Sequence, residues 1–322
     1  MNKNTMFNII ESDLTRLEAE LLSVIHSPVE LIKNISDHLV QAGGKRLRPA
    51  LYLVCARSKS VNEAQIMPMA AAIELIHMAT LVHDDVIDNA STRRGKPTAN
   101  ARWDNHASVL TGDFLLAKAF SIVATNVNNN MLKVLTDVMC SMCEGEILQD
   151  QDTFDPDQSE DQYLIRIAKK TADFIAASCE LGGMSADLSQ AEVEALKKFG
   201  YSIGMAFQIT DDILDITASS EQIGKPAGND LRQGIVTLPV IYALKNSERK
   251  SELREIILNR VPTEAAVKVG LKIVHDTAAV EYSYQRVADY LCEARSVLPQ
   301  SIPSGLRECL LEVADFVGLR KY

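Results

Sequence analysis

Apolar residues recur at helical period along almost the whole chain. Leu14, Leu17, Leu21 and Ile25 predict a first helix from about Ile10 to Ile25. A second follows Pro28 and ends at Gly43-Gly44, a pair suited to a helix C-terminus. Pro49 marks the N1 position of a third. A long apolar run predicts a helix from near Pro68 to Asp88, and further helices are expected over Ser108 to Thr125, Met131 to Gln151 and roughly Asp161 to Leu181. Ser189-Gln190-Ala191-Glu192 is a capping box, and it opens the longest helix, which runs toward Asp215. The runs from Ile235 to Lys245 and on to Val317 read as peripheral helices. Polar stretches punctuate the pattern: Asn89 to Thr98, an acidic stretch at 152–160, and Thr217 to Gly234, expected to form a lid. No strand alternation is evident. The expected fold is all-α, a single domain over residues 1–322.

Two polar interruptions carry chemistry. His83-Asp84-Asp85-Val86-Ile87-Asp88 places Asp84 and Asp88 four residues apart on one helical face, with Asp85 beside them. Like charges so close repel unless a cation sits between them. The same device returns in Gln208-Ile209-Thr210-Asp211-Asp212-Ile213-Leu214-Asp215. A hard ion fits such oxygen donors, Mg2+ above all, since it binds one or two carboxylates and completes its shell with phosphate oxygens and water. One acidic helix end is often a solvated cap. Two copies, the first followed by Arg93-Arg94, read instead as two helices that face across one cavity and grip one diphosphate.

Composition narrows the picture. Glycine and proline are sparse, at 15 and 10 of 322 residues, as a helix-rich chain requires. A net charge of −10 argues against nucleic-acid binding and against attraction to an anionic membrane. Basic clusters on so acidic a chain are therefore informative. Lys45-Arg46-Leu47-Arg48 stands at a helix start, where free N–H groups also favour anions, so phosphate binding is preferred over a solvated turn. His77 lies two turns before Asp84 and reads equally well as a site residue or a core histidine. Lys170, mid-helix, is ordinarily solvent-facing; turned inward it needs an anion.

The start of the chain lacks the apolar core of a signal peptide. No uncharged apolar run reaches spanning length, the best candidate, Met67 to Val82, being broken by Glu74 and His77. A cytoplasmic protein without stable membrane insertion is expected. The six cysteines show no framework spacing, and Cys140 and Cys143, a C-x-x-C inside a helical run, read as core thiols.

Gly43-Gly44-Lys45-Arg46-Leu47-Arg48-Pro49, the two D-D-x-x-D motifs, Arg93-Arg94-Gly95, Gly224-Lys225-Pro226 and Asp230-Leu231-Arg232-Gln233-Gly234 together resemble the trans-prenyltransferase, or polyprenyl diphosphate synthase, family. The resemblance spans about residues 43 to 239 in order. It implies a single all-helical domain around a deep central cavity, the isoprenoid synthase fold, assembled as a homodimer. It implies that Asp84, Asp88 and Asp211 bind Mg2+, about three ions per site, with Asp85, Asp212 and Asp215 assisting. Lys45, Arg48, His77 and Arg94 are then implied to hold isopentenyl diphosphate, and Arg93, Lys170, Thr171, Gln208 and Lys225 the allylic diphosphate, Lys170 serving the chemistry as well. Some relatives carry a lysine after the last glycine; this chain has Ile235, as long-chain members do.

Small or aliphatic residues precede the first motif. Thr80, Ala79, Ile76 and Ala72 are expected to line the wall below the allylic diphosphate, and no ring at Ala79 or Thr80 blocks it. From Asp84 back to Pro68 is about 24 Å of helix. The expectation is a long-chain, octaprenyl-type product, for a quinone side chain, made from farnesyl diphosphate, with any length from heptaprenyl to decaprenyl open and a shorter geranylgeranyl-to-heptaprenyl synthase as the alternative. A phosphohydrolase built on His83-Asp84, His77 and Asp88 leaves the second motif without purpose, and a terpene cyclase has no use for the Lys45–Arg48 cluster. A non-catalytic partner subunit usually loses aspartates, and this chain keeps all six.

Overall fold

In the computed structural model, which describes residues 6–61, 63–93, 95–126, 128–217 and 227–319, the helical period is realised almost element for element. A 3-10 turn, Asn8–Ile10, leads into α1 (Glu11–Val24), α2 (Glu30–Gln41), α3 (Leu47–Ala56) and α4 (Glu63–Ile87). A hairpin of β1 (Thr92–Arg93) and β2 (Lys96–Pro97) follows, then α5 (Ala99–Arg102), α6 (Asn105–Asn126) and α7 (Asn129–Asp152). Next come α8 (Glu160–Ile167), a π turn (Ala168–Ala172), α9 (Asp173–Ser185) and α10 (Gln190–Thr217). The chain continues through α11 (Asn229–Arg232), α12 (Leu238–Asn246), α13 (Lys250–Leu258), α14 (Glu264–His275), α15 (Ala279–Val297) and α16 (Ser304–Leu319).

Several boundaries differ from expectation, each for a local reason. α3 starts at Leu47, so Pro49 sits at N3, still within the first turn, whose N–H groups have no intrahelical partner to lose. α4 begins ahead of Pro68 and encloses it. The strands β1 and β2 pair Thr92 with Pro97 and Arg93 with Lys96, too few residues to leave an alternation in the sequence. The helix expected over 161–181 is interrupted by the π turn, which no period reveals. The capping box at Ser189 forms as read, with the Glu192 N–H donating to Ser189 Oγ and the Ser189 N–H to Glu192 Oε2.

The chain forms two compact units. The first comprises Met1–Leu135, Ser178–Val193 and Gln300–Leu310. Its centre is α4, apolar on every side and therefore buried, packed along α6 and against α1 and α3. Gly112 of α6 admits the His83 imidazole where any larger residue collides with it. Gly182 lies against the Tyr52 carbonyl and Cys55, and Tyr52 Oη is 2.9 Å from Ser185 Oγ, so the end of α9 anchors α3.

The second unit comprises Thr136–Ala177, Glu194–Pro299 and Leu311–Tyr322. Here Gly145 of α7 lies against the Lys170 backbone, and Gly204 of α10 against Ala172. The π turn is thus seated between two glycines. α12 packs on α15, with Tyr242 and Tyr282 stacked 4.8 Å apart.

One sequence expectation is corrected. Cys140 and Cys143 are exposed, because Leu135, Val138 and Met142 take the buried stripe of α7 and leave the thiols opposite. Two helical runs, Ala64–Ile87 and Asn105–Asn126, are long and apolar enough to cross a membrane by length and composition. Each carries charge, Glu74 in the first and Asp113 and Lys118 in the second, and 72% of the first run's most apolar window is buried inside the fold, as in a core helix, against 39% of the second's.

Candidate active site

In the first unit the acidic turn closes α4. Asn89, at φ 50°, sits just past the helix, the Ala90 N–H reaches the Asp85 carbonyl at 2.9 Å and the Asn89 N–H reaches that of Val86 at 3.3 Å. This is a Schellman ending, and it leaves Asp84, Asp85 and Asp88 at the negative end of a helix dipole with no basic residue in the last turn. Asp84 is half-buried, Asp85 buried and Asp88 exposed. Asp85 faces the hairpin: Arg93 Nε donates to its Oδ1 at 2.8 Å. Asn100 Nδ2 donates to the Asp85 carbonyl at 3.2 Å and to that of Ala90 at 3.1 Å.

The basic cluster is divided by the fold. Arg46 occupies the left-handed region at φ 48° and turns inward, where it donates to Glu18 and Glu74, each at 2.7 Å, and to the Val40 carbonyl at 3.2 Å. It is a structural ion, not a phosphate ligand. Burial pushes the Glu74 carboxyl up, against the pull of Arg46 and Arg48. Replacing Arg46 by Met strands that carboxylate and is expected to cost about 3–5 kcal/mol, read from the urea midpoint, with Glu74→Leu in the same chain recovering most of it. Lys45 stays exposed. Arg48 Nη1 lies 3.2 Å from His77 Nε2, so that nitrogen is the acceptor. Loss of water brings the Arg48 pKa down to about 10, opposed by Glu74 and Asp84, and the guanidinium stays charged at neutral pH. His77, left undecided by spacing, thus joins Arg48. Thr80 Oγ1 donates to the His77 carbonyl at 2.9 Å and is half-exposed, whereas Ile76 and Ala79 have no accessible surface.

In the second unit the acidic turn lies near the end of α10, again without a basic residue in the last turn. Asp211 and Asp215 are half-buried and Asp212 is buried. Asp212 accepts from Tyr163 Oη at 2.7 Å and Gln208 Nε2 at 2.8 Å. Burial pushes its carboxyl up to about 7 despite those donors and nearby Arg166. Gln208 Oε1 accepts from Thr171 Oγ1 at 2.8 Å, which ties α10 to the π turn. Lys170 Nζ lies 2.6 Å from Glu146. Asp215 accepts the N–H groups of Asn229 and Asp230 at 3.2 and 3.1 Å, so it caps α11.

Sequence reasoning missed four residues that hold these groups. Arg46 and Glu74 fix the loop before α3, and Tyr163 and Arg166 back Asp212. Arg166 is buried, donates to the Val236 carbonyl at 2.8 Å and to Gln158 at 3.2 Å, and lies over the Tyr163 ring. Only tertiary packing brings them in. Arg94 and Lys225, both among the expected substrate ligands, lie outside the described residues.

The donor set can be tested against a metal. Among the described residues no three His, Cys, Asp or Glu side chains form a ready-made cage. The oxygen donors of the two acidic turns are of the kind that hold a hard divalent ion through one or two carboxylates together with the substrate's own oxygens.

The all-α architecture, the paired acidic helix ends and the basic turn ahead of α3 define a transferase of prenyl groups. The chain belongs to the polyprenyl synthetase family, whose model matches residues 29–274. It is 41% identical over 322 residues, the whole of both chains, to heptaprenyl diphosphate synthase component 2 of Geobacillus stearothermophilus. It is 34% identical over 324 aligned positions, 99% of each chain, to octaprenyl diphosphate synthase of Escherichia coli strain K12. Among solved structures it is similar to a polyprenyl synthase from Caulobacter crescentus CB15 complexed with calcium and isoprenyl diphosphate, at a TM-score of 0.94 and 36% identity, covering 100% of this chain and 98% of that one. The expected all-α polyprenyl synthase fold stands.

Proposed function

We propose that this chain is a Mg2+-dependent, long-chain trans-polyprenyl diphosphate synthase that condenses isopentenyl diphosphate onto an allylic diphosphate, farnesyl diphosphate being the primer, to an octaprenyl-type product. The observation that carries the reading is the pair of acidic turns, one closing α4 and one near the end of α10, each with three carboxylates and no basic residue in the helix's last turn, a set of oxygen donors that suits a hard divalent cation. The Caulobacter synthase, complexed with calcium and isoprenyl diphosphate, supports a divalent ion and a diphosphate substrate.

Asp84, Asp88 and Asp211 are proposed as the Mg2+ carboxylates, and Asp85, Asp212 and Asp215 as their supports through Arg93, Tyr163 and the α11 cap. Lys45, Arg48 and His77 orient isopentenyl diphosphate, and Arg93, Lys170, Thr171 and Gln208 the allylic partner. When bound, Mg2+ offsets the charge that builds on the departing diphosphate. Lys170 adds fixed positive charge there, where preorganised electrostatics matter most, and Arg93 serves to capture the diphosphate before it departs. The apolar residues of α4 keep the chain-growth path dry, so that water does not quench the allylic cation. The attacking double bond then forms the new carbon–carbon bond, and one proton leaves with the released diphosphate.

The family match over 29–274 and the full-length similarity support one synthase domain over 1–322. The cytoplasmic placement rests on six free thiols, which a reducing compartment preserves. A homodimer is proposed on α6, where Val109 and Leu110 stay 39% and 50% exposed on a largely apolar helix. A second reading, a catalytic subunit that requires an unlike partner, is favoured by the Geobacillus relative, which is named as one component of its synthase.

One assay separates these. The purified chain alone, given farnesyl diphosphate, labelled isopentenyl diphosphate and Mg2+, is expected to yield an octaprenyl alcohol after dephosphorylation and chromatography, and nothing when EDTA is present. Heptaprenyl alcohol instead corrects the length alone. No product without a second protein overturns the homodimer, and no product under any condition overturns the assignment.

A further inference from the structure

The hairpin that presents Arg93 is too short to stand by itself. Its two strands pair only Thr92 with Pro97 and Arg93 with Lys96, and even a longer isolated hairpin is marginal in water. The last turn of α2 holds it from outside. His38 Nε2 lies 2.9 Å from the Pro97 carbonyl oxygen, and Lys96 Nζ donates to the Gln41 carbonyl at 2.9 Å. A carbonyl only accepts, so Nε2 carries the proton and Nδ1 is left to accept from Arg102 Nη1 at 3.4 Å. Arg102 in turn lies 4.7 Å over the Trp103 ring, and Trp103 meets the imidazole edge-on at 5.5 Å. Beneath them, Ile35, Ala99 and Ala107 close a small apolar core with Leu39 and Trp103. His38 is therefore fixed at both ring nitrogens and on one edge, while the far side of the hairpin reaches Asp85 through Arg93.

We infer that His38 is a positioning residue for Arg93. It touches no substrate. Through the Pro97 carbonyl it fixes β2, β2 fixes β1, and β1 sets the Arg93 guanidinium on Asp85 with its remaining N–H groups preorganised for an anion. Preorganisation of that kind acts on substrate capture more than on the chemical step. The inference rests on the proposed role of Arg93 toward the allylic diphosphate, and its test is arranged so that the two can fail separately.

The test is steady-state kinetics of the full-length enzyme, varying the allylic diphosphate at saturating isopentenyl diphosphate. His38→Leu is expected to raise KM for the allylic substrate about fivefold, the scale of one hydrogen bond, with kcat changed by less than about twofold. His38→Gln, whose amide can donate to the Pro97 carbonyl, is expected to recover most of that loss. In an Arg93→Ala chain, itself raised in KM, His38→Leu is expected to add nothing, because residues acting through one another are not additive. Lys96→Met, on an exposed side chain, is expected to mimic His38→Leu and stands in should that variant fold poorly. An unchanged KM in both His38→Leu and Lys96→Met, an equal effect of His38→Leu with and without Arg93, or a Gln variant as impaired as Leu overturns the positioning role and leaves that of Arg93 standing. A parental KM in Arg93→Ala overturns the role of Arg93, and that of His38 with it.

Discussion

Asp84→Ala and Asp211→Ala are each expected to lower turnover by roughly a hundredfold to a thousandfold, the cost of removing one preorganised group that stabilises transition-state charge. The fold is not expected to suffer. Both carboxylates are half-buried, and Asp84 stands in the last turn of α4, where negative charge opposes the dipole by about 0.3–1 kcal/mol. Deleting Asp84 relieves that opposition but also removes its attraction for the Arg48 guanidinium, so the ligand-free melting temperature should shift by no more than a few degrees. Only the response to ligand should disappear: Mg2+ with inorganic diphosphate stabilises the parent by mass action and the variants far less. Kinetics and thermal melts with and without Mg2+ and diphosphate decide the matter. Near-parental rates in either variant, or an undiminished shift on adding ligand, remove the metal assignment.

Thr80→Phe is expected to convert the enzyme to a short-chain synthase. Thr80 stands one turn before Asp84 on α4 and keeps part of its surface accessible, so a ring there intrudes into space the product needs. Ala79 is the sequence-based alternative, but it has no accessible surface. A ring forced into that packing costs about 1–3 kcal/mol before it reports on length. Chromatography of dephosphorylated products from Thr80→Phe and the parent is the measurement. An unchanged distribution means that this side of α4 does not bound the growing chain.

The limits of reading such a chain from sequence lie in packing. Helices were legible wherever one apolar stripe decided the outcome, as with Leu17 and Leu21 on α1, and wherever a local motif set a boundary, as at Ser189. Pro49 and Pro68 misplaced two helix starts, because proline constrains its own first turn without saying which residue of that turn it is. The acidic turns were legible because three carboxylates in one turn need no tertiary information to be unusual. Arg46 was not. In the sequence it is one more cation beside Lys45 and Arg48, and only the buried carboxylate of Glu74, arriving from α4, sorts it from them. Tyr163 and Arg166 were silent for the same reason: their meaning is Asp212, far along the chain.

The π turn at Ala168–Ala172 has a consequence for how this region tolerates change. Such a turn holds one residue more than an α-helix accommodates, and each residue of a helix contributes about 100° of rotation. Tyr163 on one side and Thr171 within the turn are thereby clocked against each other, and both must meet α10, at Asp212 and Gln208. Side chains along this stretch can be exchanged one by one, but the count of residues between Tyr163 and Thr171 is a dial setting: losing one swings the phenol off its carboxylate even though every letter of both motifs survives.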